Sequence, residues 1–529
     1  MTAIALPLRP RVRDRGEIYR ARYVIAFAVV LASVLELVDT SIVNVAIPHM
    51  MGSLGATLEE IAWVSTGYIV ANVIILPLTG WLSARFGRRN YYTGSILLFT
   101  FASFMCGNAG TLEGLVLWRI VQGIGGGALI STAQAILFDV FPVNERGTAM
   151  ALFGMGVMVG PTLGPTLGGW ITDNYSWPWI FFINVPLGLL AAFMTWQNVP
   201  EPEAVSERTH TVDWFGLALL IIGIGSLQLL LERGEAKDWF ASREIVTETI
   251  AAILGITLFV WHELRTEHPV VDLKVLRDRQ LAAGVTFGAI LGFALYSSVF
   301  ALPVFLQGLL GYSAWDTGKV ILPGAIASAV AMAIGGRLGN RFDPRASITI
   351  GAGLFFLAMW MHYHFTTDIG MHDLFWPMIF RGAGLGLVFV PLTNVAVATL
   401  RSVQLPQGTG LFNLSRQLGG SMGIAVTATL IRHFSEQGRS AMSSHLTLYS
   451  DTLRDWLGRM TQAMLRSGGT VEEARLKAVQ LLELLTSRQA AMIAYEKVFL
   501  IMGVAFLAAL PLLFFFRTVR AKAGGAMVH

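Results

Sequence analysis

Glu36 and Asp39 stand three residues apart in an otherwise apolar run, Leu35-Glu-Leu-Val-Asp39-Thr40-Ser41-Ile-Val-Asn44. That spacing puts both carboxylates on one face of a helix. Deep in an apolar segment an ionisable group needs a partner, water or a proton, which makes it a candidate for function. Two carboxylates so close cannot both keep their charge cheaply, so one is a candidate proton carrier near neutral pH. Arg119 lies in a second apolar run, Leu115-Val-Leu-Trp-Arg119-Ile-Val-Gln122-Gly123. A guanidinium stays protonated, so Arg119 could hold a carboxylate ionised, or release it by moving. Asp39, Glu36 and Arg119 are thus the candidate proton-coupling set. A plainer account is also open: a static ion pair that ties helices together, or, for Glu36, a side chain facing a wet cavity.

Other polar groups stand on apolar segments. Asn44, Thr40 and Gln122, with Arg416 further on, are the candidate substrate-binding residues, and Asn72 is of the same kind. Such groups line a pocket or hydrogen-bond between helices. Arg381 is a further buried-type cation. No catalytic triad, metal cluster or phosphate-binding Gly-x-x-x-x-Gly-Lys-Ser/Thr loop is present in the sequence, so the chain reads as neither an enzyme nor an ATP-driven machine. The energy source expected is a proton gradient, with no cofactor.

The elements that must carry these residues follow from composition. The 529 residues are 54% hydrophobic and 14% charged, with mean hydropathy +0.60. Soluble domains carry roughly 25% charged residues, so most of this chain belongs in lipid. Fourteen segments approach the ~20 apolar residues a spanning helix needs. The pI of about 9.2 does not point to nucleic acid. Lys and Arg collect in the N-terminal tail and the even-numbered loops, as expected if both termini are cytoplasmic. The lone cysteine, Cys106, leaves no intramolecular disulfide to form.

A repeat organises the spans. Gly80-Trp-Leu82-Ser-Ala-Arg85-Phe86-Gly-Arg-Arg89 after the second span and Gly336-Arg-Leu338-Gly-Asn-Arg341-Phe342-Asp-Pro-Arg345 after the tenth both fit Gly-x-Leu-x-x-Arg-Phe-x-x-Arg. Gln122-Gly123-Ile-Gly125 is echoed by Arg381-Gly382-Ala-Gly384, and Gly147-Thr148 by Gly408-Thr409. The expected fold is all-α: a six-helix half over 22–198, two inserted helices over 213–263, and a second six-helix half over 280–517. Basic and cytoplasmic tails over 1–21 and 518–529 flank them. Parallel six-span halves around a central site are a transporter architecture. Residues 433–494 form a long outward segment whose apolar spacing, broken at Gly468-Gly469, predicts an amphipathic helical hairpin. It is either a cap on the outer face or a partner's docking surface.

The gating and structural candidates come last. Gly80, Arg85, Gly87 and Arg88 lie in the turn after the second span, as lipid contacts or as a latch between helix ends. Gly160, Pro161, Gly164, Pro165, Gly168 and Gly169 interrupt the fifth span. Prolines remove helix hydrogen bonds and glycines bare a face, so this helix should bend and admit a very close neighbour.

These motifs together resemble the major facilitator superfamily. The Gly80–Arg89 turn is similar to its loop signature, Arg119-x-x-Gln122-Gly123 to its fourth-span signature, and Gly156 to Gly169 to the fifth-span signature of its exporters. Asp39 to Pro48 is similar to the first-span signature of the fourteen-span drug:proton antiporters, and Trp177–Gly188 and Pro269–Leu273 are further marks of that group. Ile222–Gln228, Asp238-Trp239-Phe240 and the long outward segment resemble the EmrB-type inner-membrane subunits of Gram-negative tripartite pumps. The resemblance implies proton-driven export of hydrophobic or amphipathic compounds across the inner membrane. It also implies a periplasmic adaptor of the EmrA type and an outer-membrane channel of the TolC type. Export of fatty acids, bile salts or another metabolite is the alternative, and a transport-inactive scaffold a more distant one. Two departures stand out: Ala84 replaces the acid usual before Arg85, and Glu36 has no counterpart expected from the family.

Overall fold

A computed structural model describes residues 15–142, 145–201, 212–338, 343–447, 449–466, 468 and 470–516. The tails at 1–14 and 517–529, the second-repeat residues Arg341 and Phe342, and Gly469 lie outside the described residues, as do the side chains of Pro161 and Pro165.

Fifteen helices matter here. They are α1 (Arg15–Leu54), α2 (Leu58–Phe86), α3 (Arg88–Gly107), α4 (Leu112–Val140), α5 (Arg146–Asn174), α6 (Trp179–Asn198), α7 (Trp214–Arg233), α8 (Arg243–Glu263), α9 (Arg279–Leu309), α10 (Ala314–Leu338), α11 (Pro344–Tyr363), α12 (Met371–Val397), α13 (Leu405–His445), α14 (Asp451–Leu465) and α15 (Val471–Leu507). Local sequence sets several starts. Thr57 and Glu60 form a capping box on α2, and Asp278 accepts the Gln280 and Leu281 amides at the start of α9. Thr470 and Glu473 do the same for α15. Such caps satisfy amides that the first helical turn leaves open.

Among the described residues, eleven helices are long and apolar enough to cross a membrane. Helices α3, α5 and α13 pack among them but are richer in glycine, hydroxyl and amide side chains, which lowers their hydropathy. The chain is an all-α, multi-pass membrane protein. Helices α1–α6 form one half and α9–α13 with α15 the other. Helices α7 and α8 pair with each other, and α7 lies against α2 and α13.

The segment over 433–494 is built differently from a loop between two spans. Helix α13 runs unbroken past its apolar part to His445, and α15 begins at Val471, well before its own. Both continue past their apolar stretches as single helices, with Gly438 packed on Ala490, and α14 folds against α15. The sequence reading of a hairpin captured α14 and the start of α15. It did not capture the polar continuations of the spans, because hydropathy marks where a helix leaves lipid and not where it ends.

Helix α5 continues as one helix through its glycine–proline repeat. Its glycines form the contact with α1. A Cβ added at Gly160 would fall 2.5 Å from Leu37 Cβ, one at Gly168 would lie 2.8 Å from the Ile42 side chain, and one at Gly164 would overlap Ser41. Ser41 Oγ donates to the Gly160 carbonyl at 3.3 Å. The start of α5 meets α10 of the other half, where the Gly147 and Gly336 backbones touch.

That contact belongs to the face at which α1 begins and α15 ends, the tail face. Among the described residues, hydrogen bonds cross between the halves toward this face. Ser402 Oγ donates to Asp139 Oδ1 at 2.6 Å, Asn413 Nδ2 to Gln134 Oε1 at 2.7 Å, and Thr79 Oγ1 to the Pro406 carbonyl at 3.5 Å. At the opposite face, which carries α14, Asn44 of α1 is exposed and Thr40 half-buried. The halves are therefore joined at the tail face.

Candidate functional site

The first half encloses a charge cluster built from five helices. Asp39 of α1 is 0% exposed and Arg119 of α4 1%. Arg119 Nη1 donates to Asp39 Oδ2 at 2.5 Å. The other carboxylate oxygen accepts from Gln122 Nε2 at 2.9 Å and from Asn184 Nδ2 of α6 at 2.8 Å. Arg119 also donates to Gln122 Oε1 at 2.8 Å and, through Nε, to the Val64 carbonyl of α2 at 3.1 Å. Its guanidinium lies over the Tyr68 ring, 4.2 Å from the centroid. Asn184 is in turn held by Ser103 of α3 at 3.1 Å.

The arrangement follows from helix periodicity. Arg119 and Gln122 are three apart on α4, so both face α1. Charge-assisted hydrogen bonds of this kind are about twice as strong as neutral ones. A buried pair is tolerable only when its remaining lone pairs and protons are satisfied. Asp39 meets that condition with three donors.

Glu36 is buried at 6% exposure but belongs to a different neighbourhood. Its Oε1 accepts from Asn72 Nδ2 of α2 at 2.7 Å, and its Oε2 is buried without a hydrogen-bond partner among the described residues. The two carboxylates share one side of α1, as their spacing implies, yet they have separate partners.

The other candidate residues are distributed as follows. Gln122 is an integral part of the Asp39 cluster. Asn44 accepts from Ser65 Oγ at 3.3 Å, and the Thr40 hydroxyl donates to the Glu36 carbonyl of its own helix at 2.9 Å. Arg416 is buried in the second half beside the Phe389 ring, and Arg381 donates to Ser298 Oγ at 3.1 Å. Neither has an acid within ion-pair distance among the described residues. Arg88 pairs with Asp139 at 2.9 Å, the same carboxylate that accepts from Ser402 across the halves. Arg85 lies over Trp81. Gly87 has φ +83°, a conformation costly for a residue with a Cβ, and a side chain there would also strike Glu201. Gly80 is packed on Gln407 of α13.

Sequence reasoning missed Asn184 and Ser103 as cluster members and Asp139 and Ser402 as a bond between the halves. The signal for Asn184 was available: an amide in the apolar run Phe182-Ile-Asn184-Val.

The sequence profile of the Major Facilitator Superfamily matches residues 29–424. The chain belongs to the major facilitator superfamily. It is a transporter rather than an enzyme. It is 35% identical to the fatty acid resistance protein FarB of Neisseria gonorrhoeae over 94% of this chain and 96% of that one. It is 37% identical to the multidrug export protein EmrB of Escherichia coli K12 over 77% of this chain and 80% of that one. Among solved structures, the human organic anion transporter MFSD10 (TETRAN) shares the fold, with TM-score 0.58 at 14% identity, covering 92% of this chain and 99% of that one.

Proposed function

We propose that this chain is a proton-driven antiporter that exports hydrophobic or amphipathic toxic compounds, as the inner-membrane subunit of a tripartite efflux pump. The observation that carries this reading is the Asp39–Arg119 pair, fully buried and fully hydrogen-bonded inside the first half. A proton on Asp39 cancels the charge that holds Arg119. The guanidinium keeps the Val64 carbonyl and the Gln122 amide oxygen, so protonation loosens α1 from α4 without stranding the cation. Because α1 is packed on the α5 glycines, a shift of α1 is passed to α5, and through the Gly147–Gly336 contact to the second half.

In this reading the tail face is cytoplasmic, and Asp139 with Arg88 and Ser402 latches it shut. The face carrying α14 is periplasmic. The projecting α13–α15 helices are the surface for a periplasmic adaptor of the EmrA type, itself joined to an outer-membrane channel of the TolC type. Relatives named for multidrug export and, in Acinetobacter baumannii, for colistin resistance support the export of drugs. The relative named for fatty acid resistance, matched over nearly the whole chain, supports a second reading in which the exported compound is an amphipathic carboxylate. Arg381, a buried cation without an acid partner among the described residues, suits such a headgroup.

The test is proton movement in proteoliposomes under an imposed pH gradient, with the hydrophobic dye ethidium as one substrate and oleate as the other. Wild type should move protons when substrate is added, and Asp39→Asn should not. Uphill export by Asp39→Asn at the wild-type rate would falsify the assignment of Asp39.

A further inference from the structure

We infer that Glu36 is a second proton carrier, separate from Asp39, and that Arg416 of the opposite half is the counter-ion that discharges it when the halves change their relation. This rests on the antiport reading above and extends it to a residue outside the Asp39 cluster.

The geometry divides the two carboxylates. Asp39 has both oxygens occupied by donors, one of them a guanidinium. Glu36 has one oxygen on an amide and the other buried with no hydrogen-bond partner among the described residues, the Ile130 backbone of α4 lying nearby. An ionised carboxylate with a bare buried oxygen is costly, and the group escapes that cost by holding a proton. The donors around it fit a neutral carboxyl. Asn72 offers an N–H to the carbonyl-type oxygen, and the Tyr68 hydroxyl, buried near Thr40, stands in the same pocket. Gly126 of α4 makes room for both: a Cβ there would strike Tyr68 Oη and crowd Asn72 Nδ2.

The charged and titratable groups whose fields meet Glu36 come from both halves. They are Asp39 on its own helix, Tyr68 of α2, Tyr92 of α3, Tyr296 of α9 and Arg416 of α13, with the Ile130 backbone of α4 alongside. Arg416 is the one cation in that set. It is 2% exposed, its Nε lacks a partner, and it forms no ion pair among the described residues. A buried guanidinium without an anion is as unbalanced as a carboxylate without a cation. The two lie on opposite halves, so rocking of the halves changes their separation. In the tail-closed arrangement Glu36 holds its proton. In the tail-open arrangement Arg416 pairs with the carboxylate, and the proton leaves toward the opened face. The step balances: the Glu36 O–H bond breaks, the proton passes to water, and the carboxylate charge is met by Arg416.

The experiment starts with infrared spectroscopy of the full-length protein in liposomes at neutral pH. Wild type should show the carbonyl stretch of a protonated buried carboxyl. The band should vanish in Glu36→Gln and persist in Asp39→Asn. A wild-type spectrum without the band, or a band lost only in Asp39→Asn, overturns the assignment. Transport then separates this inference from the reading beneath it. Glu36→Gln should move one proton fewer per substrate under the pH gradient, whereas Arg416→Lys should keep the wild-type ratio and Arg416→Gln should not. An unchanged ratio in Glu36→Gln, with wild type moving protons, overturns the second carrier and leaves antiport standing. A wild type that exports substrate without moving protons overturns antiport, even if the infrared band is present.

Discussion

Helices α4 and α12 occupy equivalent places in the two halves, and they have kept different things. Packing is the same in both. Gly123 of α4 abuts the Tyr68 carbonyl of α2, and its echo Gly382 of α12 abuts the Gly324 carbonyl of α10. Gly125 meets the backbone at Ser95 and Phe99 of α3, and its echo Gly384 meets Gly351 and Phe355 of α11. Chemistry is not the same. The repeat that aligns these glycines puts Arg381 where Gln122 stands and Met378 where Arg119 stands. The first half carries a closed cluster of Asp39, Arg119, Gln122 and Asn184. The second carries guanidinium groups beside a hydroxyl and an aromatic ring, with no acid partner among the described residues. Close helix approach is a property of the fold and recurs in both halves, whereas a fully buried acid–guanidinium pair is, among the described residues, a feature of the first half.

Breaking the first-half pair should have the largest effect. Arg119→Met leaves the Asp39 carboxylate buried against amides alone and should cost about 3–5 kcal/mol. Thermal unfolding in detergent would show it, and dye export should be lost. Next comes the helix contact that supports the pair. Gly164→Leu forces a side chain into Ser41 and should cost about 1–3 kcal/mol by overpacking. Its melting temperature should fall, and spin labels on α1 and α5 should report a wider separation. Smaller still is Ser402→Ala, which removes one hydrogen bond to Asp139. About 1 kcal/mol of tail-face closure should be lost, read as faster labelling of cysteines placed near Gly336. The smallest effect sharpens the comparison most. Arg381→Met strands no carboxylate, so its stability should change by less than about 1 kcal/mol or rise. A loss as large as that of Arg119→Met would mean that the second half holds a hidden partner for Arg381.

The sequence carried the two-half architecture and the glycine face, because both leave a spacing that can be read along one helix. Asp39, Glu36 and Arg119 stood out because charge is rare in apolar runs. Which charge meets which partner was not legible. Asn184 reaches Asp39 across 145 residues of chain, and Ser402 reaches Asp139 across 263. No periodicity links residues that meet only when helices assemble. The division between Glu36 and Asp39 was hidden for the same reason: their spacing fixes a shared side of α1, whereas the helices opposite decide their neighbours.

The glycine stripe of α5 also sets the mutational profile of this protein. Gly160 and Gly164 touch Leu37 and Ser41, the residues on either side of Asp39 along α1. Any side chain added there acts as a wedge that tilts the carboxylate out of register with Arg119. Screens for lost export should therefore recover neutral, non-polar changes on α5 with the same phenotype as changes of charge on α1. Suppressors of such changes should appear as smaller residues at Leu37 or Ser41, and not at any ionisable position.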